Sequence, residues 1–183
     1  MLATLPEEIE ANLIERSRQG DRSAFGQLVS QYQRGVVNIV YRMCSDVTLA
    51  EDAAQEAFLR AWMHLDSFRP GTSLRNWLYR IAVNAALDHL RRERETPADL
   101  ETVRVADQAN GPEAELLQRE RSARVQRAIL SLSAPNRAVL VLREYCQLSY
   151  QEIAASLDIP IGTVMSRLNY ARKCLRTLLE NDL

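Results

Sequence analysis

The sequence predicts an all-α protein: two small helical domains joined by an acidic linker, the second carrying a helix-turn-helix. Three observations predict it. Apolar residues recur at helical spacing up to about residue 94 and again from about residue 114, with no sustained strand-like alternation. Between them, residues 95–113 (ETPADLETVRVADQANGPE) hold two prolines, a glycine and many acids without an apolar period. Charge is segregated too. Residues 1–94 are neutral in sum, 95–117 total −5 and 118–183 total +4, all hidden beneath a net charge of −1.

The first domain, 1–94, has four helical patterns. The first runs from about Pro6 to Gln19, with Thr4 and Glu7 as a capping box and Gly20 as its stop. The second starts near Asp21 and carries Phe25, Leu28, Val29, Tyr32, Val36, Ile39 and Val40 on one side. The third opens at Thr48, with Glu51 completing a capping box, and reaches about Leu65. A loop, DSFRPGT at 66–72, precedes the fourth, from Ser73 to about Arg94.

The second domain, 114–183, holds the most informative segment, SYQEIAASLDIPIGTVMSRLNYARK at 149–173. Ser149 and Glu152 form a capping box, and Ile153, Ala154 and Leu157 follow at helical spacing. Pro160 breaks that helix, since proline lacks an amide proton and its predecessor avoids helical angles. Val164, Leu168, Ala171 and Leu175 then share one face of a second helix. The opposite face carries Ser166, Asn169, Tyr170 and Lys173, flanked by Arg167 and Arg172. A helix lying in a major groove needs that division: an apolar back, a front of donors, and basic flanks for phosphates. An ordinary amphipathic hairpin with a solvated face is the competing reading.

Two further faces stand out. On the fourth helix, Asn76, Arg80 and Asn84 succeed one another at four-residue steps, and residues 73–94 sum to +3. Such a row suits phosphate oxygens and base edges, against the alternative of a solvated polar face. The loop before it offers Phe68 and Arg69 as a surface for an extruded base, with Trp77 and Tyr79 as further candidates. Trp77 sits on the apolar stripe with Leu74, Leu78, Ile81 and Ala85, which favours a core role. On the third helix, Asp52, Gln55, Glu56, Leu59 and Met63 make a face acidic at its start and apolar at its end, unsuited to DNA and suited to a protein partner.

Composition excludes other classes. No apolar run approaches a membrane span, and MLATLPEEIE lacks the build of a signal peptide, so a cytoplasmic protein without membrane insertion is expected. Cys44, Cys146, Cys174, His64 and His89 have no metal-ligand spacing, so no metal or other cofactor is expected. Neither a nucleophile with its base nor a glycine-rich phosphate loop is present, and adjacent Asp88 and His89 point different ways, which argues against an enzyme. Of 23 basic residues 22 are arginine, whose planar fork suits phosphate and guanine, although a GC-rich genome gives the same bias.

DAAQEAFLRAW at 52–62, NWLYRIAVNAALDHLRR at 76–92 and LSYQEIAASLDIPIGTVMSRLNYAR at 148–172 closely resemble the extracytoplasmic-function (group IV) sigma factors of bacterial RNA polymerase. The resemblance covers nearly the whole chain. It implies that 1–94 is a region that binds core polymerase and melts the −10 element, 95–113 a linker threading toward the RNA exit channel, and 114–183 a −35-reading region. Asp52, Gln55, Glu56 and Leu59 would dock on the β′ clamp helices, with the C-terminal domain touching the β flap. Phe68 and Arg69 would lie in the loop capturing a flipped non-template base, and Asn76, Arg80 and Asn84 would line the −10 element. Arg143, Met165, Ser166, Arg167, Asn169, Tyr170 and Lys173 match positions on or beside the −35 reader. Many members have arginine where Met165 stands and a bulky or basic residue where Asn169 stands, so the −35 preference is expected to differ. An anti-sigma partner is implied as well. The rivals are a dimeric helix-turn-helix regulator without polymerase and a helical enzyme using its Cys and His residues.

Overall fold

A computed structural model describes residues 6–69, 71–95 and 113–180. Every regular element among them is helical: α1 (Glu7–Arg18), α2 (Arg22–Cys44), α3 (Val47–Met63), a 3-10 turn (Leu65–Ser67), α4 (Leu74–Glu95), α5 (Glu113–Leu130), α6 (Ala134–Glu144), α7 (Tyr150–Leu157) and α8 (Ile161–Glu180). The all-α class is therefore as expected. Residues 96–112, nearly all of the expected linker, lie outside the described residues, as does Thr4 with its expected capping box.

Local chemistry sets most helix starts. The Asp21 carboxylate accepts the Ser23 and Ala24 amides at 2.9 and 3.0 Å, capping α2, while Arg16 grips its other oxygen at 2.6 Å. The Ala24 amide and the Arg16 guanidinium hold this carboxyl below its ordinary value. Helix α3 corrects the expected Thr48–Glu51 box. Its cap is Asp46, which accepts the Leu49 amide at 2.8 Å, so Thr48 falls inside the first turn. A carboxylate placed two residues earlier already satisfies the free amide, and threonine is no better a cap. The Ser149–Glu152 box on α7 forms in full.

Helices α1–α4 pack around Leu28, Val36, Val40, Met43, Leu74, Leu78 and Val83. Ala53, Ala57 and Ala61 let α3 approach its neighbours closely, and all three are buried. Gly35 on α2 lies beneath Tyr79 of α4, where a Cβ would overlap the tyrosine hydroxyl. Helices α5–α8 enclose Leu142, Leu148, Ile153, Val164, Leu168 and Ala171. The turn between α7 and α8 places Asp158 in the left-handed region at φ 51°, and α8 begins directly after Pro160.

These two bundles touch. Helices α2 and α4 pack against α5, α6 and α7, and a single continuous cluster of buried side chains spans both. Polar contacts fasten the seam. The Arg42 guanidinium stacks 3.9 Å from the Tyr145 ring centre and donates to its hydroxyl at 3.2 Å. Gln126, itself buried, donates to the Tyr41 carbonyl at 3.2 Å, and Arg137 donates to the Met43 carbonyl at the end of α2. Both carbonyls belong to the last turn of α2, and the Tyr41 carbonyl also accepts the amide of the C-cap residue Ser45 at 2.7 Å.

Candidate nucleic-acid interface

On α8 the apolar stripe faces in and the polar front faces out. Val164, Leu168 and Ala171 are buried, Leu175 is half-buried, and Ser166, Asn169, Tyr170 and Lys173 are exposed. Tyr170 is 56% exposed and Met165 48%. Arg167 is half-buried beside them, and Arg172 pairs with Glu144 of α6 at 2.8 Å. The stripe is buried because α6 and α7 cover it, so the donors are presented by a rigid backing rather than a loop. Arg143, expected on or beside the −35 reader, is engaged within its own bundle. It donates to the Leu148 carbonyl at 2.8 Å and lies 5.2 Å from the Tyr150 ring centre, so its guanidinium closes the α6–α7 turn.

The α4 row has the opposite fate. Asn84 donates to the Ser156 carbonyl at 3.1 Å, an acceptor in the last turn of α7, so it faces the other bundle rather than solvent. Arg80 lies near enough to Glu152 of α7 to help hold that carboxyl below its ordinary value, after the larger effect of the Ser149 amide and hydroxyl. The Arg80 Nε and the Asn76 Oδ1 are buried without a hydrogen-bond partner. The expected solvent-facing row is thus half-covered, a correction that no helical period could have shown.

Phe68 also departs from expectation. Only 5% exposed, it packs edge-on against Trp77 with ring centres 5.4 Å apart, so it belongs to the core and offers no stacking face. Its cause is the short 3-10 turn, which swings the ring inward, and Arg18 of α1, which donates to the carbonyls of Phe68 and Leu65 and pins the loop from behind. Arg69 is exposed beside it. Neither Arg18 nor the seam residues Arg42, Gln126, Arg137 and Tyr145 stood out in the sequence, because their partners are backbone carbonyls or a ring distant in the chain.

On α3, Leu59 is 65% exposed and Met63 74%, with Asp52 and Gln55 exposed on the same side. Phe25, Val29, Phe58 and Trp62 continue this face into an apolar groove between α2 and α3. Glu56 is the exception. His89 Nε2 lies 2.7 Å from its carboxylate, Arg60 bridges it to Asp88, and Arg92 sits 3.8 Å away. Burial opposes its ionisation, but the His89 and Arg60 hydrogen bonds outweigh that and hold its carboxyl low. Its charge staples α3 to α4 instead of projecting outward.

Fold and faces together define an all-helical protein of two bundles, one bearing a helix-turn-helix with an exposed polar front and the other an exposed apolar-acidic face. The comparisons narrow the class. Residues 28–96 match the family model described as Sigma-70 region 2, and residues 122–175 match Sigma-70, region 4. The chain is 37% identical over 186 residues to the RNA polymerase sigma-H factor of Pseudomonas aeruginosa, covering 96% of each. It is 36% identical over 178 residues to the ECF RNA polymerase sigma factor SigW of Bacillus subtilis, covering 92% of the chain and 95% of that protein. Against the ECF RNA polymerase sigma-E factor of Escherichia coli the identity is 39% over 173 residues, covering 89% and 90%. Among solved structures, CnrH in complex with the cytosolic domain of CnrY superimposes with a TM-score of 0.67 at 27% identity, covering 96% of this chain and 99% of that one. The sigma factor RpoE in complex with the anti-sigma factor NepR from Bartonella quintana gives 0.66 at 26%, covering 87% and 98%. The chain belongs to the extracytoplasmic-function group of the sigma-70 family.

Proposed function

We propose that this sigma factor attaches to core RNA polymerase through its α3 face, recognises the −35 element as duplex through α8, and opens and holds the −10 element with α4 and the loop before it. Residues 1–94, 95–113 and 114–183 are assigned to the polymerase-binding and melting region, the linker and the −35-reading region. The observation that carries the reading is the α8 division: a buried stripe of Val164, Leu168 and Ala171 behind an exposed front of Ser166, Asn169, Tyr170 and Lys173 on a helix-turn-helix. Asn169 has the geometry to read adenine bidentately, Met165 to touch a thymine methyl, and Lys173 to meet phosphate.

Asp52, Gln55 and Leu59 are assigned to the β′ clamp helices, with the apolar groove and Met63 extending the contact, and the C-terminal bundle to the β flap. Asn76, Arg80 and Asn84 are assigned to the −10 strand, with Arg69 on phosphate and Phe68 holding the loop from beneath. Its place of action is the bacterial cytoplasm, where polymerase and promoters are. Control by an anti-sigma factor follows by analogy with CnrH and RpoE, whose structures hold CnrY and NepR. No cofactor takes part. The test is transcription from genomic promoters with purified core polymerase: specific initiation only when this chain is added supports the assignment, and none on any promoter removes it.

A further inference from the structure

The exposed front of α8 changes character along its length. Side chains on a helix surface form ridges at four-residue steps, and two neighbouring ridges of α8 are exposed throughout. One holds Ile161, Met165, Asn169 and Lys173, the other Gly162, Ser166 and Tyr170. The first ridge is apolar where the helix begins, with Ile161 44% and Met165 48% exposed, and polar where it ends. Resting on the −35 assignment above, we infer that the opening turns of α8 read thymine methyl groups, Ile161 and Met165 acting as a pair that selects thymine in the −35 duplex.

Three observations carry this. In a helix-turn-helix the residues that reach base edges lie near the start of the second helix. There the exposed front is Ile161, Gly162, Met165 and Ser166, without an amide, ammonium or guanidinium, and Arg167 is half-buried on the flank. Guanine and adenine are read bidentately by such groups, whereas thymine alone offers a methyl, which an apolar side chain meets. Lys173 stands about 18 Å further along the axis, too far to serve the same base pairs. Second, the Ser166 hydroxyl donates to the Thr163 carbonyl at 3.1 Å, so its oxygen is left to accept. An acceptor beside the apolar pair suits the amino group of the adenine that pairs with thymine. Third, Ile161 and Met165 take no part in the core, which Val164 and Leu168 fill at 0% and 1% exposure. The start of α8 is nonetheless held firmly. The Pro160 carbonyl accepts the Thr163 and Val164 amides at 2.9 and 3.2 Å, and the Ile159 amide donates to the Ala154 carbonyl at 3.1 Å. The pair is therefore presented from a fixed position, as reading a single methyl requires.

The test uses the full chain bound to core polymerase. Duplexes randomised over about ten base pairs, one helical turn, are selected for binding, and the preferred duplex is remade with deoxyuridine in place of each thymine in turn. Uracil pairs as thymine does and lacks only the methyl, so each methyl that is read should cost about fourfold in affinity when removed. One or two adjacent thymines should show that loss. The Ile161→Ala/Met165→Ala variant should bind thymine and uracil duplexes equally well, which isolates the contact as a double-mutant cycle does. A preferred duplex without thymine, or one that the unaltered chain binds equally well with uracil, overturns the inference, and this arm decides even if the variant fails to fold. A uracil penalty that persists in the variant overturns it too, because other groups then meet the methyl. If selection yields a preferred duplex indifferent to uracil, only the thymine reading fails. If it yields no preferred duplex at all, the −35 assignment fails with it.

Discussion

The two faces proposed to meet DNA obey one sequence rule and meet opposite fates. On α8 the apolar stripe is consumed inside its own bundle, which leaves Ser166, Asn169 and Lys173 in solvent. On α4 a similar stripe, Leu74, Leu78 and Ala85, is buried in the first bundle, yet Asn84 is bonded to the second and Arg80 lies near its Glu152. A helix has one back but several flanks, and a second body can claim any flank the core leaves over. Face polarity therefore identifies a surface able to meet DNA without saying whether it is open.

The largest expected effect tests whether the bundles behave as one body. Leu168→Ala removes a side chain that is 1% exposed behind the reading face, and should cost about 2–5 kcal/mol. Calorimetry that shows both bundles melting together earlier would mean a cooperative seam, whereas an early transition confined to the C-terminal bundle would mean a loose one. Asp52→Arg/Leu59→Arg comes next. It should abolish co-purification with core polymerase while leaving the melting temperature within a few degrees, because neither residue is buried.

Smaller effects sharpen the open face. Asn169→Ala should relax base preference at a single −35 position by about 1–3 kcal/mol, and Lys173→Ala should weaken all duplexes alike and lower the salt slope by about 1. Both are read by anisotropy on polymerase-bound chain. Ser149→Ala should destabilise α7 by about 1 kcal/mol. Because Ser149 holds the Glu152 carboxyl below its ordinary 4.5, this cap contributes fully above that pH and is lost as pH falls through the lower folded value. Glu152→Gln should flatten the helicity change below about pH 4.5, measured by circular dichroism.

The smallest signal comes from the thiols. Burial pushes Cys44 up to about 11 and Cys146 up to about 12, so at pH 8 both stay protonated and covered. Cys174, half-buried on α8, should be alkylated first. Cys146 sits close enough to Arg75 of α4 for that charge to oppose its rise. Its alkylation should accelerate in an Arg42→Ala/Gln126→Ala variant of the seam, and an unchanged rate would indicate that Cys146 is shielded within its own bundle.

Much of this chain is written in short-range chemistry. Ser149 and Glu152, three residues apart, specify the α7 start, Pro160 its break from α8, and the spacing of Val164, Leu168 and Ala171 the face that turns inward. Each depends on neighbours within a turn or two, so the sequence alone determined the helices, the helix-turn-helix and its exposed front. Asp46 shows the limit of that scale, since either of two nearby caps could have started α3 and the geometry of the preceding turn selected one. Tertiary structure alone decided that Phe68 turns inward onto Trp77, that Glu56 spends its charge on His89 and Arg60, and that Asn84 meets Ser156, 72 residues away in the chain. Those outcomes rest on contacts between distant segments competing for the same polar or apolar partner, and that competition leaves no period in the sequence.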